Sequence, residues 1–189
     1  PVHFVNPQHE TVAGQRAYAS VLDLPGPADL AVILTPAATV PDVVEQCGLQ
    51  GIRAAVVVSA GFREGGEAGA ELERQVRSKA RAHGLRFLGP NSLGLIRTDI
   101  GLNASCGPSQ PDKGRLALVS QSGALCAALI DWARARHVGF SSVVSTGVGP
   151  DVDLGEILDY LARDPATDSI MLYLEGIAGA RRFMSALRA

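Results

Sequence analysis

Leu116-Ala-Leu-Val-Ser-Gln-Ser-Gly-Ala-Leu-Cys-Ala-Ala-Leu-Ile-Asp-Trp-Ala-Arg-Ala-Arg136 sets how the rest of the chain is read. Leu116 to Val119 has the length and apolar character of a buried parallel strand. Ser120, Gln121, Ser122 and Gly123 form a polar turn, after which Leu125, Ala128, Leu129 and Trp132 recur at helical spacing. A strand, a tight Ser/Gly turn and an amphipathic helix leave free backbone N–H groups at a helix N-terminus, where the dipole is positive. Such a turn suits a phosphate or carboxylate. Ser is also an ordinary N-cap, so on the residues alone a plain capped helix fits equally well.

Upstream, Val2 to Val5 reads as a strand closed by Asn6-Pro7, and residues 8–29 read as a loop with a short helical piece near Ser20 to Leu22. Leu30 to Leu34 and Ala54 to Val58 are further buried strands, and Arg86 to Leu88 is a fourth. Between them run a helix from Pro41 through Cys47 and another from Gly66 to His83, the latter with Ala68, Leu72, Val76 and Ala80 on one face. Strands alternating with helices at this spacing imply an α/β fold with parallel doubly wound sheets. Residues 103–113, with Gly107, Pro108, Ser109 and Pro111, lack periodicity and read as a linker. A second unit follows: strand 116–119, helix 123–136, strand 139–145, helix 153–162, strand 169–174 and a helix from Gly179. The expected division is a first domain over 1–107 and a second over 113–189. The chain opens at Pro1 without Met and ends at a helix that should lead into another strand, so it reads as a piece of something longer.

A hydrophobic fraction of 47% over 189 residues can fill real cores. A net charge of −2 with no basic run argues against nucleic-acid or membrane-surface partners, and no apolar run approaches the ~18 residues of a membrane span. Without a signal peptide, the expected location is cytoplasmic. Cys47, Cys106 and Cys126 share no metal-type spacing, so no metal site is expected. Cys47 and Cys126 fall among apolar helical neighbours, whereas Cys106 lies in a loop and is the candidate for reactivity. His3, His9, His83 and His137 are dispersed and read as surface histidines.

In open parallel sheets, ligands gather at the carboxyl ends of the strands. The segments that follow strands here are Asn6-Pro7, Thr35-Pro36-Ala37, Ser59-Ala60-Gly61, Gly89-Pro90-Asn91-Ser92, Ser120 to Gly123, Thr146 to Gly149 and Glu175-Gly176. They imply one ligand crevice per domain.

Three segments resemble the NDP-forming acyl-CoA synthetase superfamily: Leu88-Gly-Pro-Asn-Ser-Leu-Gly-Leu95, Gly101-Leu-Asn-Ala104 and Ala117-Leu-Val-Ser-Gln-Ser-Gly-Ala124. Asp151-Val-Asp153, Leu161-Ala-Arg-Asp-Pro165 and Leu172-Tyr-Leu-Glu-Gly176 follow in the same order. The superfamily includes the succinyl-CoA synthetase alpha subunit and ADP-forming acetyl-CoA synthetase. Ser92, where many of these ligases have Cys, and Gly179-Ala-Arg-Arg-Phe183 are more similar to the subgroup fused to a protein lysine acetyltransferase domain, in which this region serves as a sensor of CoA or acyl-CoA.

The resemblance implies a Rossmann-type CoA-binding domain followed by a flavodoxin-like ligase domain. By its pattern, coenzyme A would meet Asn6, Pro7, Thr35, Pro36, Ala37, Val58, Ser59, Ala60, Gly61, Pro90, Asn91 and Ser92. Small and apolar residues there allow the backbone close to adenine and pantetheine, and plain turn geometry accounts equally for Ala37 and Pro90. Phosphate or acyl phosphate would meet Ser120, Gln121, Ser122, Gly123 and Ala124, with Gly147 and Gly149 beside them. Glu175 matches the glutamate that orients the phosphorylated histidine; otherwise it is a solvated carboxylate after a strand.

The pattern is incomplete in this chain. The glycine-rich turn that cradles the CoA phosphates is expected upstream of Pro1, and the relay histidine beyond Ala189. Gln8 stands where the family often has a lysine. The ATP-grasp part, with ATP, ADP and Mg, is expected on a further domain or subunit in an oligomer, so the fragment alone is expected to be inactive. A nicotinamide oxidoreductase would need Gly-x-Gly-x-x-Gly and a ribose-binding acid. A serine hydrolase would need glycines at the positions of Ser120 and Ala124.

Overall fold

The computed structural model describes residues 1–107, 110–177 and 179–188. Two sheets carry the architecture, with a small third one at the N-terminus. The first sheet has the order β4 (Ala31–Ile33), β5 (Ala54–Val57), β6 (Arg86–Leu88), all parallel. Its crossovers are α1 (Val40–Leu49) and α2 (Glu67–Ala82). β5 is buried along Ala55, Val56 and Val57, whereas β4, expected to be a buried strand, is an edge that leaves Val32 and Leu34 exposed, and β6 opens on the exposed Arg86. Val40, Val44, Cys47, Ala55, Val57, Phe62, Val76 and Phe87 form the core of this unit.

Of the expected α2 face, Val76 and Ala80 are buried and Leu72 packs against the core, but Ala68 is exposed, and Gly69 and Glu73 are buried as well. Gly69 lies against the chain at Phe62, where a Cβ would come within 1.7 Å of the Phe62 carbonyl oxygen. This contact rotates the helix toward its glycine. Glu73 is buried and paired with Arg63 at 2.5 Å.

The second sheet is mixed. Its order is β11 (Ser169–Tyr173), β9 (Lys113–Ser120), β10 (Phe140–Ser145), β7 (Gly94–Arg97), β8 (Leu102–Ser105). β9, β10 and β11 are parallel, while β7 and β8 add an antiparallel hairpin to the β10 edge. Residues 103–113 are therefore not simply a linker: β8 ends at Ser105 and β9 begins at Lys113. Pro108 and Ser109 of that stretch lie outside the described residues.

α3 (Gly123–Arg134), α4 (Leu154–Leu161) and α5 (Ala180–Ala186) cover this sheet. Leu154, Ile157, Leu158 and Leu161 form the buried face of α4, as their spacing requires. α3 is rotated from its expected face: Cys126, Ile130 and Ala133 are buried. Trp132 is 53% exposed, with the Arg136 guanidinium 4.4 Å over its ring.

The N-terminal segment also departs from the expected loop. β1 (Phe4–Val5) pairs with β3 (Gln15–Tyr18), which forms a hairpin with β2 (Thr11–Val12), and a 3-10 turn follows at Val21–Asp23. Positive φ angles at Ala13 and Gly14 make the two-residue hairpin turn.

Candidate functional site

The carboxyl ends of β4, β5 and β6 present Thr35-Pro36-Ala37, Val58 to Gly61 and Gly89 to Ser92. Ser59 donates its hydroxyl to the Thr35 carbonyl at 2.5 Å, tying the first two ends together. Gly61 packs against Ala37, and its N–H donates to the Glu64 carboxylate at 2.7 Å. Burial pushes the Glu64 carboxyl upward, but the N–H groups of Gly61, Glu64 and Phe62 outweigh it and hold it below the ordinary carboxylate value. The Thr35 hydroxyl is buried with no hydrogen-bond partner among the described residues. An orphaned hydroxyl at a strand end is a polar atom that a ligand can satisfy.

Asn6 and Pro7 lie at the end of β1, in the small N-terminal sheet. The Asn6 side chain accepts from the amides of Gln8 and His9 at 2.9 and 3.1 Å. It shapes its own turn, so its carboxamide oxygen is already engaged.

In the second unit, Ser120 ends β9 fully buried, and its hydroxyl accepts from the Ser122 N–H at 3.0 Å and donates to the Ser122 carbonyl at 2.9 Å. Ser122 is the N-cap of α3, accepting from Leu125 N–H at 3.3 Å. The amides of Gly123 and Ala124 precede the helical ladder and have no acceptor among the described residues. Ala124 is exposed, and the turn lies at the surface while Ser120 anchors it below. Gln121 does not point into the turn. Its carboxamide binds the backbone of Glu175 and Gly176. Glu175 is exposed just beyond β11.

These two strand-end edges are joined by a continuous set of backbone hydrogen bonds. Asn91 N–H donates to Ser59 O at 2.9 Å, and Gly89 N–H to Thr146 O at 3.2 Å. Val148 N–H donates to Pro90 O at 3.1 Å, and Thr146 N–H to Ser120 O at 2.9 Å. Gly147 makes the approach possible: at φ +56° its missing Cβ would stand 2.1 Å from the Pro90 carbonyl oxygen. Gly149 also has positive φ but meets nothing closer than 3.6 Å.

Sequence reasoning missed Ser145. Its carbonyl accepts from the buried Ser92 hydroxyl at 2.6 Å, and its hydroxyl accepts from Leu93 N–H at 2.9 Å. The signal was Ser141, Ser142, Ser145 and Thr146, all buried in an otherwise apolar strand and its exit. Asp151 was singled out only as part of a motif; it accepts from Phe87 N–H at 2.8 Å and pairs with Arg86, linking the two units. No group of three or more His, Cys, Asp or Glu residues among the described ones is placed to hold a metal ion.

Residues 1–98 match the family described as CoA binding domain, and residues 113–189 match the succinyl-CoA ligase like flavodoxin domain. The chain belongs to the NDP-forming acyl-CoA synthetase superfamily. Within the superfamily it is 45% identical over 183 residues to an acetate–CoA ligase [ADP-forming] I of Archaeoglobus fulgidus, covering 97% of this chain and 27% of the relative. It is 44% identical over 169 residues to an acetate–CoA ligase [ADP-forming] I subunit alpha of Pyrococcus furiosus, covering 89% of this chain and 37% of that protein. Among solved structures, the apo dinucleotide forming acetyl-coenzyme A synthetase 1 of Ca. Korarchaeum cryptofilum superposes with a TM-score of 0.90 at 40% identity, over 96% of this chain and 40% of that one. The chain thus spans between about a quarter and two-fifths of these superfamily members.

Proposed function

We propose that this chain is the CoA-binding and acyl-transfer portion of an ADP-forming acyl-CoA synthetase, an acid–thiol ligase that works through a phosphohistidine relay. The observation that carries the reading is the hydrogen-bonded path from Ser59 through Asn91 and Thr146 to Ser120. It sets the edge suited to CoA directly beside the turn suited to phosphate. Residues 1–107 form the CoA-binding domain and 113–189 the ligase domain, with β7 and β8 lent by the first to the sheet of the second.

Coenzyme A lies across Thr35 to Ala37, Val58 to Gly61 and Pro90 to Ser92, with the Thr35 hydroxyl supplying a hydrogen bond. The amides of Gly123 and Ala124, at the positive end of α3, hold the phosphoryl group and its developing charge. Gln121 fixes the segment from which Glu175 faces the relay histidine, which is contributed elsewhere in the whole protein. The CoA thiol, losing its proton, attacks the acyl carbon of acyl phosphate, forming the thioester and releasing inorganic phosphate. Nucleotide and Mg belong to an ATP-grasp domain or subunit, and the relative named as an alpha subunit supports such an oligomeric partnership. Three free cysteines fit a reducing, cytoplasmic setting. The relatives described above are ligases or synthetases by name and none is named as an acetyltransferase-linked sensor, which outweighs the likeness of Ser92 and Gly179–Phe183 to that subgroup.

Calorimetric titration of the intact parent protein with CoA, acetyl-CoA and NADPH tests the reading. CoA and acetyl-CoA should bind, and NADPH should not. Tight NADPH binding with no response to either thioester would overturn it.

A further inference from the structure

The exposed face of α2 carries Arg74, Arg77, Ser78 and Arg81, spaced so that they stand above one another along the helix. With Arg86 at the start of β6 and Asp151 they line a cleft of about 610 Å³. The end of α2 and the start of β6 lie at the edge of the first sheet opposite its strand carboxyl ends, so the cleft is separate from the site described above. We propose that this cleft binds a small, multiply charged phosphate anion of the pyrophosphate type, held chiefly by Arg77 and Arg81.

The charges of the cleft do not cancel internally. Arg74 pairs with Glu71 at 2.6 Å, and Arg86 is taken by Asp151 and Glu156 at 3.1 and 2.7 Å. Asp151, the carboxylate in the lining, is further occupied by Phe87 N–H. Arg77 and Arg81 form no ion pair among the described residues, which leaves two guanidiniums four positions apart on one helix face beside a third at Arg74. Like charges at that spacing repel. An anion between them removes the repulsion and receives paired N–H donors, a fork that fits phosphate oxygens two at a time. The volume exceeds that of one phosphate group, and the arginines line a partly open cleft. Both features favour a compact polyanion over an acidic protein segment.

Pyrophosphate titrated into the intact parent protein by calorimetry at low ionic strength, with and without saturating CoA, tests the site. The double variant Arg77→Gln/Arg81→Gln should bind at least about tenfold more weakly, since two charged donors are lost. A control pair, Arg134→Gln/Arg163→Gln, should change affinity less than about twofold because both residues lie outside the cleft. CoA should leave pyrophosphate binding unchanged. No heat at millimolar pyrophosphate, equal weakening in both pairs, or loss of the anion on adding CoA would each overturn the proposal. The titration without CoA decides the matter even if CoA itself fails to bind. Matching urea curves for both variants and the parent chain establish that the changes are local.

Discussion

The side-chain amide of Gln121 pairs with the peptide of Gly176: its oxygen accepts from Gly176 N–H at 2.9 Å and its nitrogen donates to Gly176 O at 2.8 Å. The same oxygen accepts from Glu175 N–H at 2.5 Å. Backbone pairing between β9 and β11 ends at Ser120 and Tyr173, followed by Gln121 N–H to Tyr173 O at 3.2 Å. The side chain therefore carries the ladder past the strand ends and fixes the exit of β11 beside the α3 turn.

Gln121→Ala should release that exit. The expected loss is about 1–3 kcal/mol, the range for a few hydrogen bonds of modest net value. Amide exchange at Glu175 and Gly176 should accelerate while exchange in α4 stays unchanged, as read by hydrogen–deuterium exchange. Unchanged exchange at Gly176 would show that the segment is held by something else.

Gly147→Ala should be costly because both φ and space oppose a Cβ, and the obstructing atom is the Pro90 backbone oxygen. We expect more than about 1 kcal/mol of destabilisation in urea unfolding. Gly149→Ala, with strain but no clash, should cost clearly less. Equal effects would mean that the close approach of the two edges contributes nothing.

Thr35→Val removes a buried hydroxyl that has no partner among the described residues. Stability should stay level or rise slightly, whereas CoA affinity should fall about fivefold if the hydroxyl bonds the ligand. Calorimetry and a thermal melt on the same variant separate the two effects.

Glu64 supplies a pH-dependent term at the Gly61 turn. Its folded pKa is depressed below 4.5, so its contribution is fully present above that value and is lost as pH falls through the depressed folded one. The stability difference between the wild type and Glu64→Gln should therefore be flat near neutrality and shrink in acid. A difference that grows as pH falls would contradict the assigned sign.

The three thiols should separate by reactivity. Cys47 and Cys126 are buried, and desolvation pushes both up to about 11, whereas Cys106 is exposed. A thiol reagent at mildly alkaline pH should modify one cysteine quickly and the other two only on unfolding.

Much of the fold was legible because parallel strands read as short apolar runs. Ala54–Val57 and Leu116–Val119 are buried on both faces for that reason. The β7–β8 hairpin was not legible: Gly94-Leu-Ile-Arg97 follows directly on a turn, Leu102-Asn-Ala-Ser105 is half polar, and both are strands only because β10 offers an edge. The face of α3 was misjudged because helical spacing fits 125, 128, 129 and 132 as well as 126, 129, 130 and 133. Local sequence located the Ser120–Ala124 turn. The contacts that bring it beside Gly89–Ser92 run through Thr146, which lies 26 residues beyond Ser120, and Ser145, more than 50 beyond Ser92 and Leu93, and they leave no periodic trace.

The most direct test is amide chemical-shift mapping of the isotopically labelled chain, which registers weak binding too. CoA should move the amides of residues 35–37, 59–61 and 91–92, while acetyl phosphate should move those of Gly123 and Ala124. Shifts from the two ligands should meet at residues 146–148. If acetyl phosphate leaves Gly123 and Ala124 untouched, or CoA perturbs none of the first sheet's strand ends, the account of two adjoining anion-binding edges is wrong.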